Sequence, residues 1–140
     1  MKDFKFEKFG IISPKKGKFM KIKYNFFKNW GYAMKGLGDV LKTEMSFRIE
    51  LVFVMIFSIV NLFLPINLTL HLVLEMALFG VLITEILNSA IERIVDLVSP
   101  EWNELAGKAK DAGSAGVFLS ITIAVICWVL VLANLIFGNL

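Results

Sequence analysis

The sequence predicts an all-α membrane protein, with three transmembrane helices and an amino-terminal amphipathic helix on the membrane surface. Three observations carry that prediction. The 140 residues are 57% hydrophobic with a mean hydropathy of +0.72, whereas soluble domains hold about 45–50% apolar residues. Three apolar runs, each near the roughly 20 residues needed to cross a hydrocarbon core, take up most of the chain. Charge is segregated: eleven of the 15 basic residues precede Thr43, and no charged residue follows Asp111. No room is left for a separate soluble domain, and a membrane rather than nucleic acid is the expected partner.

Residues 1–23 mix Lys with Phe, are broken by Pro14 and Gly17, and lack the apolar core of a secretory signal. They are expected to form a basic cytosolic tail touching anionic lipid, or else a solubilising extension, ahead of a membrane domain over 24–140. Over about 26–44, Phe26, Trp30, Met34, Leu37 and Leu41 fall in one sector at 100° per residue, with Lys28, Lys35, Asp39 and Lys42 opposite. Such a helix lies in the interface plane. Glu44 either returns to the apolar face, toward a partner or ligand, or marks where the helix bends away.

The first span is expected over 47–64, ending at Pro65, with Arg48 and Glu50 near enough to its start to snorkel or to pair. A second helix over 70–98 is about 43 Å long, more than the roughly 30 Å hydrocarbon core, so its polar end must protrude. Ser99-Pro100 stops it, a hydrophilic connection follows over 101–110, and Asp111 is placed to N-cap a third span over 112–137. Gly113, Ser114, Ala115 and Gly116 allow close helix approach. His71 is read as an interfacial residue, and the lone Cys127 as a small packing residue without a partner for a disulfide. The basic residues place the amino terminus and the 93–110 connection in the cytosol, with the 65–70 turn and the carboxyl terminus outside.

The polar exception to this greasy pattern is Glu85-Ile86-Leu87-Asn88-Ser89-Ala90-Ile91-Glu92. A charge at mid-membrane costs roughly 2.5–3.5 kcal/mol on insertion scales. Glu85, Ser89, Glu92 and Asp96 share one helical stripe, flanked by Asn88. With Glu44, Lys110 and Asp111 they gather at the cytosolic interface. Oxygen donors of this kind suit Mg²⁺, which commonly borrows further ligands from substrate phosphates. A half-sunk carboxylate suits a general base, and Lys110 suits a phosphate. No phosphate-binding loop of the Gly-x-x-x-x-Gly-Lys-Ser/Thr type occurs. Spacing alone leaves a metal-phosphate reaction and an ion or proton pathway both open.

The Glu85–Glu92 motif, Val95-Asp96, and Ala109-Lys110-Asp111-Ala112-Gly113-Ser114-Ala115 together resemble the small bacterial integral-membrane lipid kinases, the diacylglycerol and undecaprenol kinase family. Glu44-x-x-Phe47-Arg48 stands in the matching place, and the resemblance runs from about Trp30 to Phe137. It implies a homotrimer in the bacterial inner membrane, active sites shared between neighbouring subunits, and transfer of the ATP γ-phosphoryl group to a lipid hydroxyl. In that scheme Glu85 is the base and Asn88 orients it, while Glu44 and Glu92 hold Mg²⁺. Tyr32, Glu101, Trp102, Asn103, Lys110 and Asp111 join those two acids around ATP, with Asn25 where the family tends to carry a basic residue. Trp30, Met34, Phe47, Arg48, Ser114 and Trp128 border the lipid beside Glu85. Gly113-Ser114-Ala115, followed by a Trp-containing span, is more similar to the diacylglycerol branch than to the undecaprenol branch. Glu75 matches no family role. An ion conduit needs acids across the whole membrane depth, whereas five of the seven acids from Glu75 to Asp111 lie from Glu92 onward.

Overall fold

A computed structural model of the chain describes residues 26–138. The basic tail and Asn25 lie outside the described residues. Within them there are four helices, α1 (Phe26–Thr43), α2 (Met45–Phe63), α3 (Leu68–Val98) and α4 (Glu104–Phe137), and no strand. The last three are each long and apolar enough to cross a membrane.

Glu44 decides the first junction. It is extended (φ −98°, ψ 117°) and separates α1 from α2 as their only non-helical residue, so the helix bends away there rather than continuing to residue 44. Of α1 only Val40 is buried. Trp30, Met34, Leu37 and Leu41 are exposed, so the apolar stripe read from the sequence faces away from this chain's own core. α2 ends where Pro65 forces the preceding Leu64 into an extended conformation (φ −71°, ψ 134°). Asn67 then caps α3, its side chain accepting from the Leu70 amide.

α3 is the spine, and α2 and α4 both pack on it. Its 31 residues span about 46 Å at 1.5 Å per residue. Leu74, Leu78, Val81, Leu82, Glu85, Asn88 and Ser89 are its buried stripe, the i, i+4, i+7 pattern of one helix face. Leu74, Leu78 and Leu82 of that stripe join Phe47, Val54, Trp128 and Val131 in the core.

Glu75 is accounted for by α2. Its carboxylate accepts from Ser58 Oγ (2.6 Å) and from Asn61 Nδ2 (3.1 Å). Asn61 Nδ2 also donates to the His71 carbonyl, and Asn61 Oδ1 meets His71 Nδ1 at 2.9 Å. His71 is therefore part of a polar seam between α2 and α3, near the turn that joins them. Thr84 Oγ1 and Ser120 Oγ make a smaller seam between α3 and α4, 2.7 Å apart.

The third apolar helix begins earlier than its hydropathy suggests, at Glu104 rather than Ala112. Asn103 is its cap, accepting from the Leu105 and Ala106 amides, and Glu104 pairs with Lys108 one turn on. Asp111 lies inside α4 and caps nothing. The 104–110 segment is polar in composition but rich in helix formers, and hydropathy cannot separate a polar helix from a polar loop.

Candidate functional site

The predicted acids and amides lie along the second half of α3, which packs against α1 and α2 on one side and against α4 on the other. Glu85 is buried (4% exposed), and Ser46 in the first turn of α2 donates to its Oε1. A buried carboxylate needs such a donor. One turn along α2, Glu50 Oε2 is buried without a partner. Arg48 does not pair with it: Arg48 Nη2 lies 3.3 Å from Met45 Sδ instead.

Asn88, one turn beyond Glu85, is also buried. Its Nδ2 donates to Glu92 Oε1 at 3.1 Å, which ties the two motif residues together. Its Oδ1 is buried without a partner, directly beneath Gly113 of α4. A Cβ at position 113 would collide with that oxygen, whereas one at Gly116 would meet nothing. Of the small residues at 113–116, Gly113 therefore makes the close approach, and Ser114 is exposed.

Glu44 is half-buried at the junction. Its Oε1 accepts from Arg93 Nη2 at 2.9 Å and from Thr43 Oγ1 at 3.3 Å. Arg93 follows Glu92 directly on α3, so the residue that holds Glu44 is the chain neighbour of the second proposed metal acid. On the α4 side, Lys110 Nζ pairs with Asp96 at 2.6 Å, and Asp111 is exposed. Glu101, Trp102, Tyr32, Trp30 and Met34 are exposed as well. Asn103 Oδ1 is occupied by its capping bonds.

An apolar cleft of about 680 Å³ runs between α2 and α4, lined by Phe53, Phe57, Val125 and Trp128, with Ser46 and Glu50 among its few polar residues. Phe57 and Trp128 meet edge to face, with centroids 4.9 Å apart. Ser46 thus lines the cleft and bonds Glu85. Phe47, expected against lipid, is instead core (2% exposed); its helical phase turns it inward, away from the cleft.

No group of three or more His, Cys, Asp or Glu side chains able to hold a metal occurs among the described residues. Glu44, bonded to Arg93, and Glu92, bonded to Asn88, offer carboxylate oxygens. Such a set fits Mg²⁺, which takes one or two carboxylates and completes its shell with water and substrate phosphates.

The profile of the prokaryotic diacylglycerol kinase family matches residues 31–132, the stretch that holds every site residue above except Asn25 and Trp30. The chain belongs to that family. It is a lipid kinase. It is 41% identical over 102 residues to the diacylglycerol kinase of Escherichia coli K12, covering 73% of this chain and 84% of that protein. The Haemophilus influenzae diacylglycerol kinase is 36% identical over 97 residues, 69% of this chain and 82% of its own. The Bacillus subtilis undecaprenol kinase is 27% identical over 106 residues, 76% of this chain and 86% of its own.

Within this kinase, sequence reasoning missed three residues of the polar end. Ser46 and Arg93 carried no signal beyond their types, because their partners lie far away in the chain. Glu50 did carry one, an acid one turn into an apolar run, but its separation from Arg48 needed the fold.

Proposed function

We propose that the chain phosphorylates diacylglycerol to phosphatidic acid with Mg-ATP as donor, at the cytosolic face of the inner membrane, as a homotrimer with its amino terminus in the cytosol. The observation that carries this reading is the buried Glu85, bonded to a residue of an apolar cleft on one side and followed by the Asn88–Glu92 pair on the other. A lipid alcohol held in the cleft brings its hydroxyl to the level of Glu85. Glu85 takes the hydroxyl proton, the freed oxygen forms its bond to the γ-phosphorus, and the bond to the ADP oxygen breaks. Asn88 orients the base and Glu92, and Lys110 exchanges Asp96 for a phosphate. Glu44 and Glu92 hold Mg²⁺, which supplies charge neutralisation at the nucleotide phosphates. Asp111, Tyr32, Asn25 and the 101–103 connection border ATP; Trp30, Met34, Arg48, Ser114 and Trp128 border the lipid. Phosphoryl transfer asks chiefly for positioning and electrostatics, so a sparse site suffices.

The identities to diacylglycerol kinases support that acceptor over undecaprenol. The protein in lipid bilayers, offered both alcohols in equal amounts with labelled ATP, is expected to label diacylglycerol faster. Faster labelling of undecaprenol would reverse the assignment. A proton conduit is disfavoured by Glu75, which is engaged by Ser58 and Asn61 and separated from Glu85 by the buried Leu78, Val81 and Leu82.

A further inference from the structure

Arg93 binds α1, the junction and α3 together. Nη1 donates to Asp39 Oδ2 at 2.5 Å, and Nη2 donates to Thr43 Oγ1 at 2.6 Å and to Glu44 Oε1 at 2.9 Å. The planar guanidinium fixes the directions of these bonds relative to each other, which a lysine ammonium would not do. Val40 is the only buried residue of α1. The junction itself is a single extended residue, Glu44, and without an outside restraint its carboxylate would turn with the hinge.

We infer that Arg93 is a positioning residue of the kinase reaction: it locks the Glu44 carboxylate, through one oxygen, in the orientation in which the other oxygen meets the metal-nucleotide. This rests on Glu44 being a metal ligand, as proposed above. Asp39 matches the guanidinium charge, so the clasp orients Glu44 without adding net positive charge against a divalent cation. Exposed ion pairs contribute little to stability, and the value of this one is geometric.

The test is steady-state kinetics of the full chain in lipid bilayers, with Mg²⁺, ATP and diacylglycerol varied separately. Loss of an outer partner of a metal ligand typically costs about 10–100-fold in metal affinity or activity. Arg93→Gln is expected to raise the Mg²⁺ half-saturation and the KM for Mg-ATP by about tenfold, with the KM for diacylglycerol unchanged. Arg93→Lys should recover only part of the loss. Asp39→Asn should act in the same direction, and the double variant should be no worse than Arg93→Gln alone, since both break one network. An unchanged or lowered Mg²⁺ requirement in Arg93→Gln overturns the inference, as does a fall in kcat alone or strict additivity with Asp39→Asn. Glu44→Gln separates the two readings. If it leaves metal dependence unaltered, the ligand assignment and the inference both fall; if it raises the requirement and Arg93→Gln does not, only the inference falls.

Discussion

Glu85 is buried next to a serine, an amide and a second acid, and each neighbour constrains what it can do. Ser46 Oγ fixes one carboxylate oxygen, leaving the other for a substrate hydroxyl. Glu85→Gln is expected to lower turnover by about 10²–10⁴-fold, the usual worth of a general base, while nucleotide binding persists. Activity within a few-fold of wild type by labelled-ATP assay would remove Glu85 from that role. Gly113 and Gly116 form a second test at this scale. Alanine is favoured over glycine in a helix by about 1 kcal/mol, so Gly116→Ala, with open space around its Cβ, should stabilise the protein. Gly113→Ala drives a methyl group into Asn88 Oδ1; it should instead destabilise by about 1–3 kcal/mol, as overpacking does, and displace Asn88 from Glu92. Denaturation in mixed micelles with a parallel activity assay reads both, and equal behaviour of the two variants would contradict the packing described.

Among the elements, α3 carries chemistry at one end and a polar seam to α2 at the other. The seam has a structural purpose: Asn61 alone bonds Glu75, the His71 carbonyl and the His71 ring. Interhelical hydrogen bonds in membranes average about 0.6 kcal/mol each, so Asn61→Val should cost about 1–3 kcal/mol, including the groups it leaves unsatisfied. Glu75→Gln should leave turnover unchanged, because Glu75 lies at the far end of the helix from Glu92. A large loss of turnover with normal stability would mean that the seam takes part in the reaction. The cap of α4 is testable in the same way. Asn103→Ala should cost about 0.5–2 kcal/mol and Asn103→Asp much less, read by unfolding; equal losses would indicate that Asn103 acts on the nucleotide rather than on the helix.

For the whole molecule, the described chain presents apolar side chains outward from all three spanning helices and from α1. Lipid and neighbouring subunits are the covers such a surface admits. In the homotrimer proposed above, each site would be shared between neighbouring chains. Mixing Glu85→Gln chains with Glu44→Gln chains is therefore expected to raise turnover above that of either variant alone, because some sites then receive intact residues from both. No recovery, with mixed oligomers shown by cross-linking, would mean that each site is built from one chain.

The sequence by itself determined the class, the number of spanning helices and the polar stripe from Glu85 to Asp96. These are one-dimensional properties: a span needs only apolar length because its backbone bonds are satisfied within the helix, and a stripe needs only a period of 3.6 residues. The Glu44 bend could be named from the sequence as one of two outcomes but not chosen, and the start of α4 was hidden because polar helix and polar loop look alike in hydropathy. Only the tertiary structure decided that Ser46 meets Glu85, that Arg93 holds Asp39 and Glu44, that Gly113 covers Asn88, and that Glu75 turns to Asn61. Each of these pairings depends on the rotation and axial register of one helix against another, which are set by packing across the interface and leave no trace in the periodicity of either helix alone.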